Sequence, residues 1–215
     1  MADKNIKGIK YRLDDENLTA EVIQKKGYEG DFIIPETVVL KKVAYRVTSI
    51  DVSAFSDCSS LTSIVIPDSV TSIGICAFSG CSSLTSIVIP DGVTSIAWRA
   101  FRDCSSLTSI VIPDSVTSIG RLAFRDCSSL TSMVIPDGVT RIGYEAFYNC
   151  SSLTSIVIPD SVTSIGEWAF KYCKSLTSIT FNGTKAQWKG IKLDEDWNDA
   201  VPTKVIHCTD GDVEI

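Results

Sequence analysis

The chain has 215 residues, of which 20 are Lys or Arg and 26 are Asp or Glu, which gives a formal net charge of −6 at pH 7. This acidic balance argues against a nucleic-acid-binding protein, whose surface usually carries clustered basic residues. Hydrophobic residues make up 44% and charged residues 21%, so the chain can bury a core and should fold rather than stay disordered.

The N-terminus, Met1-Ala2-Asp3-Lys4-Asn5, contains no apolar stretch that could act as a signal peptide. No apolar run elsewhere approaches the roughly 18 residues that a membrane span requires. We therefore expect a soluble chain that does not insert into a membrane. A mature protein whose leader had been removed would have the same sequence, so a missing signal does not establish a cytoplasmic location.

Residues 1–51 are predicted to form an N-terminal cap with a degenerate first repeat. Residues 9–23 read as two strands joined by a polar turn. Segments 32–35 and 47–50 copy two segments of the later repeats, at offsets of 32 and 23 residues. The offsets differ because nine residues are inserted between the two segments, which predicts a hairpin around Lys41-Lys42.

A pattern of 23 residues then repeats without interruption from residue 52 to residue 181. Three columns of identical residues carry it. The cysteine column is Cys58, Cys81, Cys104, Cys127, Cys150 and Cys173. The phenylalanine column is Phe55, Phe78, Phe101, Phe124, Phe147 and Phe170. The leucine column is Leu61, Leu84, Leu107, Leu130, Leu153 and Leu176.

Each copy contains one strand followed by a turn and a short irregular segment. In the first full copy the alternation of Ile64 and Ile66 predicts a strand that ends at Pro67, because proline cannot donate a ladder hydrogen bond. The segment 74–81 has room for about one helical turn at most. The side chains expected to point inward are Cys58, Leu61, Ile64, Ile66, Val70, Ile73, Ala77 and Phe78.

No single copy can bury these side chains, so the copies are predicted to stack with parallel strands about 4.8 Å apart. The product is a parallel-stranded solenoid, and we expect residues 1–215 to form one domain. Residues 182–215 are predicted to be a C-terminal cap. In that cap Thr184 should begin a helix over 185–189, and 205–208 should form the last strand.

The repeat resembles the leucine-rich repeat of the BspA-like bacterial surface proteins. The resemblance rests on Leu84-Thr-Ser-Ile87-Val-Ile89-Pro90 followed by Ala100-Phe101-Arg-Asp-Cys104, a pattern that recurs at fixed offsets. It implies an α/β repeat solenoid, mostly β, wound as a right-handed superhelix. A parallel sheet would line its concave side, with short helical or 3₁₀ turns opposite and caps at both ends. It also implies an extracellular or cell-surface location and adhesion to host proteins or other cells, while a cytoplasmic location stays open.

The cysteine column is predicted to consist of reduced core thiols, because a buried free cysteine behaves as a small hydrophobic residue. Disulfides within the column are disfavoured, since side chains in register keep their Cβ atoms near the repeat distance rather than the usual 3.5 to 4.5 Å or so. Cys76 falls at a variable place and is the best candidate for a reactive or pairing thiol. We predict no metal and no other cofactor, because the single histidine, His207, leaves a zinc site without enough ligands.

An enzyme is not predicted, and no residue is assigned a catalytic role. The chain has no phosphate-binding glycine loop and no Gly-x-Ser-x-Gly elbow. The serines of the repeats have no histidine nearby to act as a base. A thiol-dependent or metal enzyme, the least favoured alternative, would depend on Cys76, Cys208 or His207.

A column of aspartates follows the strand-ending prolines. Its members are Asp68, Asp91, Asp114, Asp137 and Asp160. Aspartate is common in turns because its side chain bonds nearby backbone, and this is the interpretation we favour. A row of cation sites is the alternative, although one carboxylate per copy supplies few ligands.

The places that vary between copies are rich in Trp, Tyr and Arg, which often anchor protein interfaces. We call them the variable stripe and predict that it binds a ligand. Its members are Trp98, Arg99, Arg102, Arg121, Arg125, Tyr144, Tyr148, Trp168 and Tyr172. The alternative is that outward places tolerate many residues and that these side chains only cover the rim of the core.

A second candidate binding surface is the valine row on the predicted concave face. It consists of Val65, Val88, Val111, Val134 and Val157. Contiguous exposed apolar area usually marks a contact site. The alternative is that these are strand-forming residues kept after recent duplication of the repeat.

These features together favour a non-enzymatic module that binds a protein or glycan, such as a host extracellular-matrix or cell-surface protein. A structural or self-associating surface spacer is the first alternative, and a monomer or weak self-association is expected. A consensus-engineered scaffold without a native ligand is the second alternative, because engineering and recent duplication would leave the same uniform repeats. No nucleic-acid partner is expected.

Overall fold

The computed structural model describes residues 2–25 and 27–215, so the parts of the predicted cap at Met1 and Lys26 lie outside the described residues. The chain before the regular repeats forms six strands. They are β1 (Ala2–Ile6), β2 (Ile9–Asp14), β3 (Thr19–Val22), β4 (Gly30–Ile33), β5 (Thr37–Leu40) and β6 (Val43–Ile50). β1, β2 and β3 pair antiparallel, and β5 pairs antiparallel with β6 across a turn at Lys41-Lys42.

Each regular copy contributes one longer strand and one two-residue strand. The longer strands are β7 (Leu61–Val65), β9 (Ser86–Val88), β11 (Ser109–Val111), β13 (Ser132–Val134), β15 (Ser155–Ile158) and β17 (Ser178–Phe181). The short strands are β8 (Ser72–Ile73), β10 (Ser95–Ile96), β12 (Ser118–Ile119), β14 (Arg141–Ile142) and β16 (Ser164–Ile165). The strands β7, β9, β11 and β13 end one isoleucine short of the proline of their copy, and β15 ends directly before Pro159, so none of these strands continues through the proline, as predicted.

The C-terminal segment contains the one helix of the described residues, α1 (Lys185–Lys189), and the strands β18 (Lys192–Leu193), β19 (Val205–Cys208) and β20 (Gly211–Glu214). Thr184 begins the helix as expected, because its hydroxyl accepts from the backbone N–H of Gln187 while the Gln187 side chain reaches back to the Thr184 backbone. Trp188, on this helix, is buried. The capping role of both ends stays a prediction.

Equivalent strands of successive copies pair in parallel, which confirms the stacked solenoid. The longer strands form two sheets, β4–β7–β9–β11 and β13–β15–β17–β19–β20, of which only the last pair is antiparallel. The short strands β10, β12, β14, β16 and β18 form a second parallel series, and β8 pairs with β6. The register is in step: Ser109 lies opposite Ser86, and Ile119 lies opposite Ile142. The predicted handedness and concave side remain predictions.

The segment between the short strand and the cysteine column is built from consecutive turns, so the expectation of helical or 3₁₀ turns there is wrong. Two residues per copy have positive φ, which a right-handed helix cannot contain. The first place is occupied by Ser53, Cys76, Arg99, Leu122, Glu145 and Trp168, with φ between 51° and 57°. The second is occupied by Asp57, Gly80, Asp103, Asp126, Asn149 and Tyr172, with φ between 57° and 76°.

Instead of forming a helix, these turns make backbone hydrogen bonds to the neighbouring copy. The backbone N–H of Phe78 donates to the carbonyl oxygen of Ala100, 2.9 Å away, and Phe101 donates in the same way to Ala123 at 2.9 Å. The turns therefore form a third side of each coil, and it stacks by backbone hydrogen bonds as the strands do.

One cluster of buried residues extends along the stack. All eight side chains predicted to point inward in the first full copy are buried. Neighbouring rings of the phenylalanine column from Phe55 to Phe170 are stacked, with centroids 5.2 to 5.5 Å apart and interplanar angles of 2° to 11°. Ile110 and Ile112 are only partly buried. They belong to the copy of β11, where the sheet of longer strands is interrupted.

A candidate ligand-binding surface along the repeats

The variable stripe lies on the turn segments of four successive copies, between residues 98 and 172. Trp98 and Tyr172 are exposed to 41% and 36%, and Arg121 is also exposed. The other members are half-buried. The stripe therefore faces solvent with only part of each side chain, because the turns that carry it also fold its side chains against one another.

Cationic side chains lie over aromatic rings along the stripe. The contacts, measured to the ring centroid, are Arg99 over Trp98 at 4.4 Å, Arg121 over Tyr144 at 5.0 Å, Arg125 over Tyr148 at 4.4 Å and Lys171 over Trp168 at 5.0 Å. Each cation is attracted by the negative face of the ring below it. Two of these contacts, Arg121 with Tyr144 and Arg125 with Tyr148, join successive copies, so they tie the stripe together along the solenoid.

Aromatic rings of the last two copies of the stripe also contact each other. Tyr144 and Trp168 have centroids 5.6 Å apart at an angle of 46°, and Tyr148 and Tyr172 lie edge to face at 5.3 Å and 80°. Lys171 adds an ion pair to Asp199 at 2.8 Å. Side chains held by several neighbours lose little conformational entropy when a ligand arrives, which favours binding.

Glu145 is buried beneath the stripe, where it forms an ion pair with Arg125 of the preceding copy. Arg125 also pairs with Asp126 at 3.0 Å. Leu122 occupies the same place as Glu145 one copy earlier and is buried as well. This place has left-handed backbone, and in these two copies its side chain lies beneath the stripe instead of facing solvent.

Two adjoining grooves cross the middle of the stripe. The first has a volume of about 460 Å³ and is lined by Trp98, Arg99, Arg121, Leu122, Arg125, Tyr144 and Glu145. The second has a volume of about 580 Å³ and is lined by Arg121, Tyr144, Glu167 and the outward face of the short strands, including Arg141. Arg121 and Tyr144 border both grooves, so a ligand lying along the solenoid could contact both.

Arg141 belongs to this surface but was not among the sequence-predicted members. The signal that could have found it is that Arg141 stands where the equivalent copies have Ser72, Ser95, Ser118 and Ser164. Among residues 2–25 and 27–215, no carboxylate lies within ion-pair distance of Arg99, Arg121 or Arg141. By contrast, Arg102 pairs with Asp103 at 3.1 Å.

The valine row is exposed on the outer face of the longer strands. Val65, Val88, Val111 and Val134 are exposed to 56%, 63%, 60% and 67%, while Val157 is half-buried. Ile33, on the adjacent strand β4, extends the row with 71% exposure. Ile33 was not among the sequence-predicted members, although segment 32–35 copies 64–67 and puts Ile33 in the place of Val65.

All eight cysteines are free thiols, and the six of the column are buried in the core as predicted. Cys76 and Cys208 are half-buried, and burial raises the pKa of both thiols. Arg99 and Arg102 oppose this shift at Cys76 without cancelling it. A reactive cysteine needs a lowered pKa, so Cys76 lacks the activated thiolate that the reactive-thiol hypothesis requires.

The aspartate column is exposed and lies at turns. In the first copy the backbone N–H of Val70 donates to the carbonyl oxygen of Pro67 at 3.0 Å, which closes the turn around Asp68. Within the described part of the chain, no three His, Cys, Asp or Glu side chains are grouped so that they could hold a metal ion. His207 is exposed, with Nδ1 3.0 Å from an oxygen of Asp212. None of the helices described is long and apolar enough to cross a bilayer.

Comparison with known proteins identifies the family to which the repeats belong. A family model described as the BspA type leucine-rich repeat region matches residues 48–177 in six copies. A leucine-rich repeat protein from T. pallidum is 31% identical, with 83% of this chain and 81% of that chain covered and a TM-score of 0.74. One from Bacteroides ovatus is 26% identical, with 89% of this chain and 67% of that chain covered and a TM-score of 0.66. No curated protein matches the chain.

Leucine-rich repeat proteins of this kind are generally interaction or surface modules, and they are typically scaffolds rather than enzymes. The matched region includes the whole variable stripe and all five strands that carry the valine row. Both candidate surfaces therefore lie on the repeats that define the similarity.

Proposed function

We propose that this chain, which belongs to the family of BspA-type leucine-rich repeat proteins, is a non-enzymatic module that binds a protein or glycan ligand through the variable stripe. The observation that carries the proposal is the set of cation–aromatic contacts along the stripe. Trp, Tyr and Arg are the side chains most enriched at interface hot spots, and here neighbouring copies hold them in place. The uniform core supplies rigidity, and the turns supply the variation.

The proposal locates the protein at a bacterial cell surface or outside the cell, where it would act in adhesion to a host extracellular-matrix or cell-surface component. Family membership supports this location. A long rigid solenoid suits the role because it presents its binding residues along one axis, so that several weak contacts with one partner can act together.

Capture of partners from host matrix and cell-surface extracts tests the proposal. We expect the purified chain to retain a defined protein or glycan and the fourfold variant Trp98→Ala, Arg99→Ala, Tyr144→Ala, Trp168→Ala to lose about tenfold or more of that binding. The matched control is Val88→Thr, Val111→Thr, Val134→Thr, which changes the other surface and should bind normally. Circular dichroism spectra must show that both variants are folded. Equal capture by the wild type and the fourfold variant would exclude the stripe.

A second candidate function is self-association as a structural spacer, which the valine row favours. An exposed line of apolar side chains along parallel strands is a surface on which a second copy could pack face to face. Sedimentation velocity over a range of protein concentrations should then show oligomers that the variant Val88→Lys, Val111→Lys no longer forms. A wild-type chain that stays monomeric at the highest concentration would remove this candidate.

A further inference from the structure

We propose that the two grooves bordered by Arg99, Arg121 and Arg141 bind an acidic segment of a protein partner, whose Asp or Glu carboxylates pair with these arginines. This inference rests on the proposed function, because it names the chemistry of the ligand that the variable stripe would take. It adds Arg141 to the binding residues.

Charge is the first argument. The whole chain has a formal charge of −6, yet Arg99, Arg121 and Arg141 have no carboxylate partner at ion-pair distance among the described residues. Of the three carboxylates that line the grooves, Glu145 pairs with Arg125 and Asp194 pairs with Lys192 at 3.4 Å. Glu167 has no ion-pair partner among the described residues, so three unpaired arginines share the grooves with one unpaired carboxylate. An acidic protein thus concentrates unneutralised positive charge in one groove system, which would attract an acidic ligand.

The unused hydrogen-bond donors of the guanidinium groups are the second argument. Arg99 lies over the ring of Trp98 and Arg121 over that of Tyr144. Neither guanidinium has a carboxylate partner among the described residues, and the Nε of Arg99 is buried without any partner, so donors remain for the two oxygens of a ligand carboxylate. Contact with the ring also restricts each side chain before the ligand binds, so less conformational freedom is lost on binding.

Spacing along the solenoid is the third argument. Arg99, Arg121 and Arg141 belong to three successive copies, and copies advance by about 4.8 Å. In an extended peptide, side chains on one face are separated by about 6.6 to 6.8 Å. The three arginines therefore span two steps, or about 10 Å along the solenoid axis, which three to four residues of an extended peptide cover, so the carboxylates of one short segment fall within that span.

A protein segment fits these observations better than an acidic polysaccharide. Sugars bind aromatic residues mainly through the ring faces, and Arg99 and Arg121 already cover one face of Trp98 and one of Tyr144. The combination of Trp, Tyr and Arg is the one enriched in protein interfaces. The acidic polysaccharide is kept as an outcome of the test.

Fluorescence anisotropy with a labelled peptide of alternating Glu and Ser residues tests the inference on the full chain. We expect saturable binding that weakens as salt is added, and binding about tenfold or more weaker for the peptide of alternating Gln and Ser. Arg121→Gln and Arg141→Ser should each weaken binding of the Glu peptide by about tenfold. Arg141→Ser restores the residue found at this place in other copies, so it should fold normally.

Arg46→Gln is the matched control, because it removes the same charge at an exposed arginine that pairs with Glu36 outside the grooves. It should leave binding unchanged, and equal losses in all three variants would reduce the effect to net charge and overturn the inference. Alginate that binds more tightly than the Glu peptide, with the same dependence on Arg121, would overturn it in favour of an acidic glycan. If neither acidic probe binds while Trp98-dependent capture persists, this inference fails and the proposed function stands. If both assays are negative, both fail.

Discussion

The Sγ of Cys127 donates a hydrogen bond to the carbonyl oxygen of Phe101 in the preceding copy, with 3.1 Å between the two atoms. The same bond recurs along the column, from Cys81 to Phe55, Cys104 to Phe78, Cys150 to Phe124 and Cys173 to Phe147, at 3.1 to 3.2 Å. A thiol at this place therefore fills core volume and supplies a donor to a buried carbonyl. Alanine or valine would do only the first.

Cys127→Ala should lower the free energy of unfolding by about 1 to 3 kcal/mol, because it leaves the Phe101 carbonyl without this donor and opens a small cavity. Urea unfolding followed by circular dichroism measures the change. Cys208→Ala is the control, since Cys208 is half-buried and at the end of the stack. If the two variants had equal unfolding midpoints, the column bond would contribute nothing to stability.

Thiol accessibility should divide the cysteines into two groups. In the folded chain at about pH 8, we expect an aromatic disulfide reagent to modify Cys76 and Cys208 first and the six buried column thiols only as fast as the chain opens. All eight should react at once in denaturant. Mass spectrometry of the modified peptides identifies the sites. Rapid modification of Cys104 in the native chain would show that the column is not in the core.

Alkaline pH should destabilise the fold through the same thiols. Burial raises the pKa of Cys81, Cys104 and Cys127 in the folded chain, whereas in the unfolded chain these thiols ionise near a pKa of about 8.5. Below that pH both states are protonated and stability is unaffected. Above it only the unfolded state loses the protons, so stability falls as the pH rises.

The urea midpoint should accordingly be level between about pH 6 and pH 8 and fall by about pH 9.5. The double variant Cys104→Ala, Cys127→Ala should begin less stable at neutral pH but lose less on going to alkaline pH. A midpoint that is the same at about pH 7.5 and pH 9.5 would contradict the linkage.

Much of the fold can be predicted from the sequence because the repeat indicates which side chains must be buried between copies. Residues that recur every 23 positions, such as Phe101 and Cys127, must occupy equivalent places, and no copy can bury them alone. The turns could not be predicted in the same way. Arg99 and Leu122 adopt left-handed backbone without being glycine, asparagine or aspartate, so their residue types give no signal of it.

The candidate site could be predicted only in part. The variation between copies identifies the places that differ from copy to copy, but it does not tell whether the side chain at such a place is buried or exposed. Glu145 stands at a variable place and is nevertheless buried. Its charge is compensated there by Arg125, which lies 20 residues earlier in the preceding copy. Pairing across copies depends on the register of stacked turns, which the three-dimensional structure supplies.

Removing Arg125 alone from its ion pair with Glu145 should destabilise the fold more than replacing both residues. Arg125→Met would leave the buried Glu145 carboxylate uncompensated, at a cost of about 2 to 3 kcal/mol, toward the low end for buried pairs because Arg125 is partly exposed. Adding Glu145→Leu should recover most of the loss, since the preceding copy has Leu122 at this place. A double-mutant cycle by urea unfolding measures the coupling; additive losses would show that the two residues do not interact.

One of the left-handed places is occupied by a glycine. Gly80 has φ +76° at the place where the neighbouring copies have Asp57 and Asp103, and its glycine adopts this conformation without steric cost. Gly80→Ala should therefore lower the free energy of unfolding by about 1 to 2 kcal/mol, because alanine is strained at this φ and because its Cβ would press on the Asp57 side chain of the preceding copy, which has to move. Asp57→Gly should raise it by up to about 1 kcal/mol, because it removes the same strain at φ +59°.

Gly190→Ala provides the matched control, since Gly190 has φ −84° at the end of α1 and can accept a side chain without entering left-handed space. Thermal unfolding of the three variants measures the differences. If Gly80→Ala and Gly190→Ala had the same effect, backbone handedness would not be what separates the two glycines. Asp57→Gly then decides the origin of the strain: a gain in stability attributes it to the residue type, and a loss shows that the contacts of Asp57 outweigh it.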